Sequence, residues 1–213
     1  MSEPSSGDLV VLVADVNMEF LFRGLLVREK SLRIRRINAA VFRHPRKDPG
    51  CLSFGYDFLR PYVNKFAHGL IVFDREGCGV ETLSREELED RVERLLVQSG
   101  WNDRAKAVVI DPELENWIWS KSPCVDRALG WSGRIPELRT WLVSEGLLAA
   151  GEAKPRRPKE ALESALRLVR EPRSSATYRA IAERATMRGC SDPAFLKLVS
   201  VLRGWFHSDQ YTA

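Results

Sequence analysis

Short continuous apolar runs recur along the first half of the chain and predict buried strands. Three of them are Leu9–Ala14, Leu70–Phe73 and Ala105–Ile110, and a more alternating segment, Arg33–Phe42, predicts a further strand. Short apolar runs that contain β-branched residues are typical of strands buried on both faces of a parallel sheet.

Stretches of helical periodicity separate these runs. Apolar residues recur at helical spacing from Met18, with Asn17 as the expected N-cap and Glu19 in the first turn. A second helix is predicted over residues 54–66, after a loop over residues 43–50, and a third follows the capping box that Ser84 opens. This alternation predicts an α/β domain over residues 8–120, in which a parallel-centred sheet of about four strands is flanked by helices.

The pattern changes after residue 120, where no further strand is predicted. Helices are expected over residues 135–148, 159–170 and 176–188, and a last one follows the Asp192-Pro193 cap. Residues 121–213 therefore predict an α-helical extension that packs on the α/β domain. At the other end, the small polar residues 1–7 predict a loose terminus.

The composition indicates a folded protein, since hydrophobic residues make up 44% of the chain and charged residues 29%. The cysteines form no CxxC pair, which argues against a zinc site and fits a reduced intracellular compartment. The apolar run Leu9–Ala14 is too short to cross a bilayer and lacks a positive flank. We therefore expect a cytoplasmic protein without a signal peptide or a membrane contact.

Basic residues are clustered, although the formal net charge is only +4. One cluster comprises Arg33, Arg35 and Arg36, and two more occupy residues 43–47 and 154–159. Each cluster alone is more often a solvated surface than a phosphate site, but several of them beside the acids described next predict contact with DNA or RNA. The residues predicted to bind nucleic acid are His44, Arg46, Lys47, Lys154, Arg156, Arg157 and Lys159.

Acidic residues follow three of the predicted strands. The carboxyl ends of parallel strands meet at one edge of a sheet, and carboxylates crowded there raise each other's pKa. A hard divalent cation, Mg²⁺ or Mn²⁺, relieves that repulsion. If the extended conformation continues past Asp74, the side chains of Asp74 and Glu76 project to the same side. The predicted metal ligands are Asp15, Glu19, Asp74, Glu76, Asp111 and Glu113.

Each of these acids also has a purely structural interpretation. Asp15 is suited to capping the first helix, Asp111 to starting an Asp-Pro turn, and Asp74 to capping a turn. Glu76 and Glu115 are also consistent with solvated positions, and Trp117 and Trp119 are more often core residues than base-stacking platforms.

Three features resemble the Toprim-like fold. They are Glu19 at the start of the first helix, the segment Asp74-Arg75-Glu76 after a buried strand, and the segment from Pro112 to Trp117, which reads Pro-Glu-x-Glu-x-Trp. Over residues 8–120 the chain is similar to small Toprim-related proteins of bacterial defence islands, related to the domain of unknown function numbered 4276. It also resembles a component of methylation-associated phage-defence systems.

The resemblance implies a Rossmannoid sheet and a role in phosphodiester breakage or joining. Toprim domains hold Mg²⁺ with a glutamate and an Asp-x-Asp pair, which implies that Glu19, Asp74 and Glu76 are catalytic here. The chain departs from this pattern twice. Its first strand is followed by Ala14-Asp15-Val16 where the family has a Glu-Gly turn, and its acidic pair is Asp-x-Glu.

The leading interpretation is a Mg²⁺- or Mn²⁺-dependent nuclease-like effector that acts on DNA or RNA with partner proteins of a defence system. A second interpretation is a catalytically degenerate Toprim-like subunit that binds partner proteins or nucleic acid. A third is a phosphatase of the haloacid-dehalogenase type with Asp15 as the nucleophile, although Asn17 then stands where that chemistry requires an acid.

Overall fold

A parallel sheet of four strands forms the centre of the molecule, in a computed structural model that describes residues 7–186 and 189–208. The strand order is β2-β1-β3-β4, and each neighbouring pair is parallel. The strands are β1 (Gly7–Val13), β2 (Ala39–Arg43), β3 (Phe66–Asp74) and β4 (Ala105–Ile110). This confirms the predicted parallel α/β sheet, and the C-terminal half is helical, as expected.

Helices connect the strands and make up most of the regular structure after the last strand. They are α1 (Val16–Leu26), α2 (Glu29–Leu32), α3 (Lys47–Leu59), α4 (Arg85–Leu96), α5 (Glu115–Ile118), α6 (Pro123–Ala128), α7 (Leu138–Ser144), α8 (Pro158–Val169), α9 (Ser175–Arg184) and α10 (Pro193–Trp205).

The core is built on the two central strands, in which residues 9–13 of β1 and 70–73 of β3 are fully buried. Helix α3 packs against both central strands, and α4 packs against α3 and β4. Helix α9 packs along α1, while α10 packs against β4 and α2. The C-terminal helices therefore pack on the elements of the sheet domain.

Carboxylates of α4 hydrogen-bond to the backbone of the edge strand β4. Glu89 accepts from the backbone N–H of Val109 at 3.0 Å, and Glu93 accepts from that of Ala107 at 3.2 Å. Glu89 also pairs with Arg85 and Lys197, and Glu93 pairs with Lys106 and Lys197. These ion pairs tie α4, α10 and β4 together.

Several predicted boundaries in the first half of the chain are wrong. Only Ala39–Arg43 of the predicted strand Arg33–Phe42 pairs with the sheet. Helix α3 begins at Lys47, inside the predicted loop 43–50, because a proline in a first helical turn costs no hydrogen bond. It ends at Leu59, just before Pro61, instead of running to residue 66. The N-cap of α1 is Asp15 instead of Asn17.

The C-terminal predictions differ mainly in length. The helix expected over residues 135–148 covers only Leu138–Ser144, and α6 was not predicted. The helix expected over 176–188 is α9, but residues 187 and 188 lie outside the described part, as do residues 1–6 of the expected loose terminus. In the last helix, α10, Leu196 is 51% exposed.

None of the helices in the described residues combines the length and the apolar character that crossing a membrane requires. The thiols of Cys51, Cys78, Cys124 and Cys190 are all free.

Candidate functional site

The strand order creates a crevice between the carboxyl ends of β1 and β3. The chain leaves β1 towards β2 on one side, and then crosses to β3 and β4 on the other side. In open parallel sheets, ligands bind at this change of direction. Asp15 follows β1, and Asp74 is the last residue of β3. The fold therefore places two of the predicted metal ligands at the position where a ligand is expected.

A third carboxylate, Asp48 in the first turn of α3, joins these two. The backbone N–H of Asp74 donates to Asp48 Oδ1 at 2.9 Å, and the N–H of Met18 donates to Asp15 Oδ1 at 2.8 Å. Against the rise that burial causes, the backbone N–H of Leu114 lowers the pKa of Asp74. Asp74 Oδ1 is buried and has no hydrogen-bond partner within residues 7–186 and 189–208. We refer to Asp15, Asp48 and Asp74 as the acid cluster.

The electrostatics of the acid cluster disfavour three negative charges. Burial raises the pKa of Asp74 well above its usual range, and repulsion from Asp48, Glu115 and Asp15 raises it further. Burial also raises the pKa of Asp48, although the hydrogen bond from the N–H of Asp74 partly offsets this rise. Without a cation, the cluster therefore favours a protonated Asp74.

Glu19, the predicted catalytic glutamate, is separately neutralised. It is buried, and its carboxylate pairs with Arg23 Nη2 at 2.5 Å and with Arg43 Nε at 2.7 Å. Two guanidinium groups therefore already balance its charge.

Glu76 does not share the geometry of Asp74. Strand β3 ends at Asp74, and Glu76 lies in the following turn, where its backbone N–H donates to the carbonyl of Pro112 at 2.9 Å. The argument from strand alternation therefore does not apply to its side chain, which is exposed.

The acids after β4 are also engaged elsewhere. Asp111 lies 3.4 Å from Arg75 Nη1. Glu113 is buried and accepts from the backbone N–H of Lys159 at 2.9 Å, while burial and the neighbouring Glu115 raise its pKa. The structure thus does not bring the six predicted metal ligands into one group.

Glu115 is not solvated but is a buried structural residue. It is 3% exposed, accepts from the Tyr178 hydroxyl at 2.5 Å, and pairs with Arg173. Burial, followed by the charge of Glu115, raises the pKa of Tyr178. This network joins α5 to α9 just behind the acid cluster.

The described residues of the acid cluster do not form a complete protein cage for a cation. No group of three or more His, Cys, Asp and Glu side chains in the described ranges is arranged to hold a metal ion. Mg²⁺, however, usually keeps several waters and binds one or two carboxylates together with substrate phosphates. Asp74 and Asp48 are the carboxylates that could serve as ligands of that kind, because Oδ1 of Asp74 has no hydrogen-bond partner among the described residues and Asp48 lies next to it.

The two basic segments flank the acid cluster along one edge of the sheet. Residues 43–47 follow β2, and residues 154–159 are joined to the end of β4 by the bond from Lys159 to Glu113. Strands β2 and β4 are three strand spacings, about 14 Å, apart. The two basic segments therefore stand at opposite ends of the carboxyl edge of the sheet.

The basic side chains differ in how available they are. His44 is 7% exposed, and its Nδ1 accepts from the backbone N–H of Arg46 at 3.1 Å, so it holds the turn after β2. Lys154 lies 3.4 Å from the buried Asp192. Arg156 and Arg157 extend into solvent, where Arg156 pairs with Glu152, just before the segment, and Arg157 pairs with Glu160 of α8.

Asp48 is the member of the acid cluster that sequence reasoning missed. It belongs to Lys47-Asp48-Pro49-Gly50, which the proline and glycine marked as a loop. The available signal was a proline preceded by an acid, since both are favoured in the first turn of a helix.

Comparison of the chain with family models, with curated proteins and with solved structures finds no match. The similarity to Toprim-like proteins therefore stays a prediction, and function has to be argued from the acid cluster and its surroundings.

Proposed function

We propose that the chain is a Mg²⁺- or Mn²⁺-dependent phosphodiester-cleaving enzyme with a Toprim-like domain, acting on DNA or RNA in the cytoplasm as a component of a bacterial anti-phage system. The observation that carries this proposal is the buried Oδ1 of Asp74, which has no hydrogen-bond partner among the described residues and feels the charges of Asp48 and Asp15. A buried carboxylate oxygen without a partner is costly, and a cation removes that cost.

The proposed roles follow from position. Asp74 and Asp48 would hold the cation, with Asp15 beside them. A cation held there would supply activation of a water and would offset the charge that develops on the phosphate. Arg46 and Lys47 hold the nucleic-acid backbone on the β2 side, and Arg156 and Arg157 hold it on the β4 side.

The test replaces the key carboxylate without changing its size. We expect Mg²⁺ or Mn²⁺ to raise the melting temperature of the wild-type protein and to support cleavage of plasmid, single-stranded DNA or RNA. Asp74→Asn loses both effects while staying folded, because the amide lacks the charge that holds the cation. The measurements are thermal melting and cleavage, each with the metal and with EDTA.

Asp90→Asn is the matched control, because Asp90 is exposed on α4 and outside the acid cluster. It should keep the wild-type metal response. A folded Asp74→Asn variant that retains metal-dependent cleavage would refute the proposal.

The basic segments are tested by the salt dependence of nucleic-acid binding. We expect a smaller slope of log affinity against log salt concentration in two double variants, Arg46→Glu with Lys47→Glu and Arg156→Glu with Arg157→Glu. The slope should fall by roughly one unit for each phosphate that the variant no longer neutralises. The control pair Arg91→Glu with Arg94→Glu, on the exposed face of α4, should leave the slope unchanged. Equal slopes for all variants would show that the segments are only solvated surfaces.

A second function is favoured by one specific observation, the pairing of Glu19 with both Arg23 and Arg43. A glutamate neutralised in this way suits a degenerate subunit that binds partner proteins or nucleic acid without cleaving. In that case Asp74→Asn would retain binding and phage protection, and the wild-type protein would not cleave with any divalent metal.

A further inference from the structure

A cavity of about 370 Å³ lies between the sheet domain and the C-terminal helices. Its walls come from α1, α5, α9 and α10, and include Leu25, Trp117, Ile181 and Phe195. None of the acid cluster belongs to the described residues that line it. The volume lies within the range of cavities that hold small organic molecules.

The interior of this cavity presents mainly apolar surface, because the indole N–H groups of two lining tryptophans and the guanidinium of Arg28 are already bonded. Trp117 Nε1 donates to Asp192 Oδ1 at 3.0 Å, and Trp119 Nε1 donates to the carbonyl of Pro158 at 2.9 Å. The guanidinium of Arg28 donates to the carbonyls of Ala182 and Ala185. A ligand held here must therefore carry an apolar body.

The charge around the cavity has one sign. The described residues that line it include four basic side chains, Arg28, Lys121, Arg139 and Lys154, and no acidic one. Lys121 is exposed and has no ion-pair partner in the described part of the chain. Arg139 donates one N–H to the carbonyl of Ala153. Its planar guanidinium carries further N–H groups that can donate to a ligand.

The carboxylate of Asp192, which is buried next to these basic side chains, already has hydrogen-bond partners. It accepts from Trp117, from Asn116 and from the backbone N–H of Phe195. Positive side chains next to a low-dielectric wall attract an anion, and a guanidinium fork matches a carboxylate.

We propose that this cavity binds a small aryl carboxylate. The ring lies among Leu25, Ile181, Trp117 and Phe195, and the carboxylate faces Lys121 and Arg139. This site does not depend on the proposed nuclease function, since none of these six residues takes part in metal or nucleic-acid binding.

The experiment uses anilinonaphthalene sulfonate, an aromatic anion that fluoresces in apolar surroundings, with the full-length protein. We expect saturable binding of one probe per chain and displacement of the probe by naphthoate. The neutral isostere naphthamide should displace it about three- to fivefold less well, the effect of one partly screened charge contact. No saturable binding, or equal displacement by naphthoate and naphthamide, would overturn the proposal.

Two variants locate the probe. Ala153→Trp fills the mouth of the cavity from an exposed position and should abolish binding, while Lys121→Glu should remove the preference for naphthoate. Arg91→Glu makes the same change of charge on the exposed face of α4 and should change neither result. Melting curves check that the variants are folded, and unchanged probe binding by folded Ala153→Trp would refute the site.

Discussion

Replacing Glu89 with alanine should lower the free energy of unfolding by about 3–5 kcal/mol, the usual cost of removing one partner from a buried ion pair. The Glu89 side chain is 4% exposed, lies 3.0 Å from Arg85 Nη1 and 3.1 Å from Lys197 Nζ, and accepts from the N–H of Val109. The truncation leaves a buried N–H without an acceptor and weakens the pairing of two cations. The measurement is urea unfolding followed by circular dichroism.

Two further variants divide this effect into its parts. Glu86→Ala on the same helix should cost less than about 1 kcal/mol, because the Glu86 side chain is 66% exposed. Glu89→Gln keeps an acceptor for the N–H of Val109, so its cost in unfolding free energy should lie between those of Glu89→Ala and Glu86→Ala. If Glu89→Ala costs no more than Glu86→Ala, the carboxylate does not hold α4 to β4.

Asp74→Asn should have the opposite effect on stability, and the effect should depend on pH. Burial raises the pKa of Asp74 above its usual value of 3.8, so the folded protein binds this proton more tightly than the unfolded chain does. The wild-type free energy of unfolding therefore falls as the pH rises from the unfolded towards the folded pKa. Asn carries no charge, so we expect the variant to be more stable by about 1–3 kcal/mol near neutral pH.

The gain should shrink as the pH approaches about 4, where the wild-type carboxyl becomes protonated in both states. Denaturant unfolding at several pH values without divalent metal measures it. Asp90→Asn, on the exposed face of α4, should give no comparable trend. A loss of stability at neutral pH would mean that the charge of Asp74 is needed for folding.

The sequence predicted the sheet well because its strands are short apolar runs with few competing interpretations. The run Ala105–Ile110 has the same bounds as β4, and Leu70–Phe73 is the buried part of β3. Segment 33–38 was misassigned as a strand because it is held in place by side-chain contacts and not by strand pairing. Asp8 accepts from Arg35 and from the N–H of Asn38, which holds this segment beside β1 without strand pairing. Such contacts between distant residues leave no local pattern.

The site was only partly predictable for a similar reason. The carboxyl edge of the sheet follows from topology, so Asp15 and Asp74 were placed correctly at one crevice. What each acid does there depends on partners far away in sequence, such as Arg43 for Glu19 and Tyr178 for Glu115. Spacing along the chain carries no information about those partners.

The hydrogen bonds between the α4 carboxylates and the backbone of β4 also restrict how copies of this protein can assemble. An exposed edge strand normally invites another strand to pair with it, but Glu89 and Glu93 already take the N–H groups of Val109 and Ala107. Continuation of the sheet into a neighbouring molecule is therefore confined to β2, the opposite edge. Two copies related by a two-fold axis would pair β2 with β2 antiparallel, which makes one continuous eight-stranded sheet and ends further growth there.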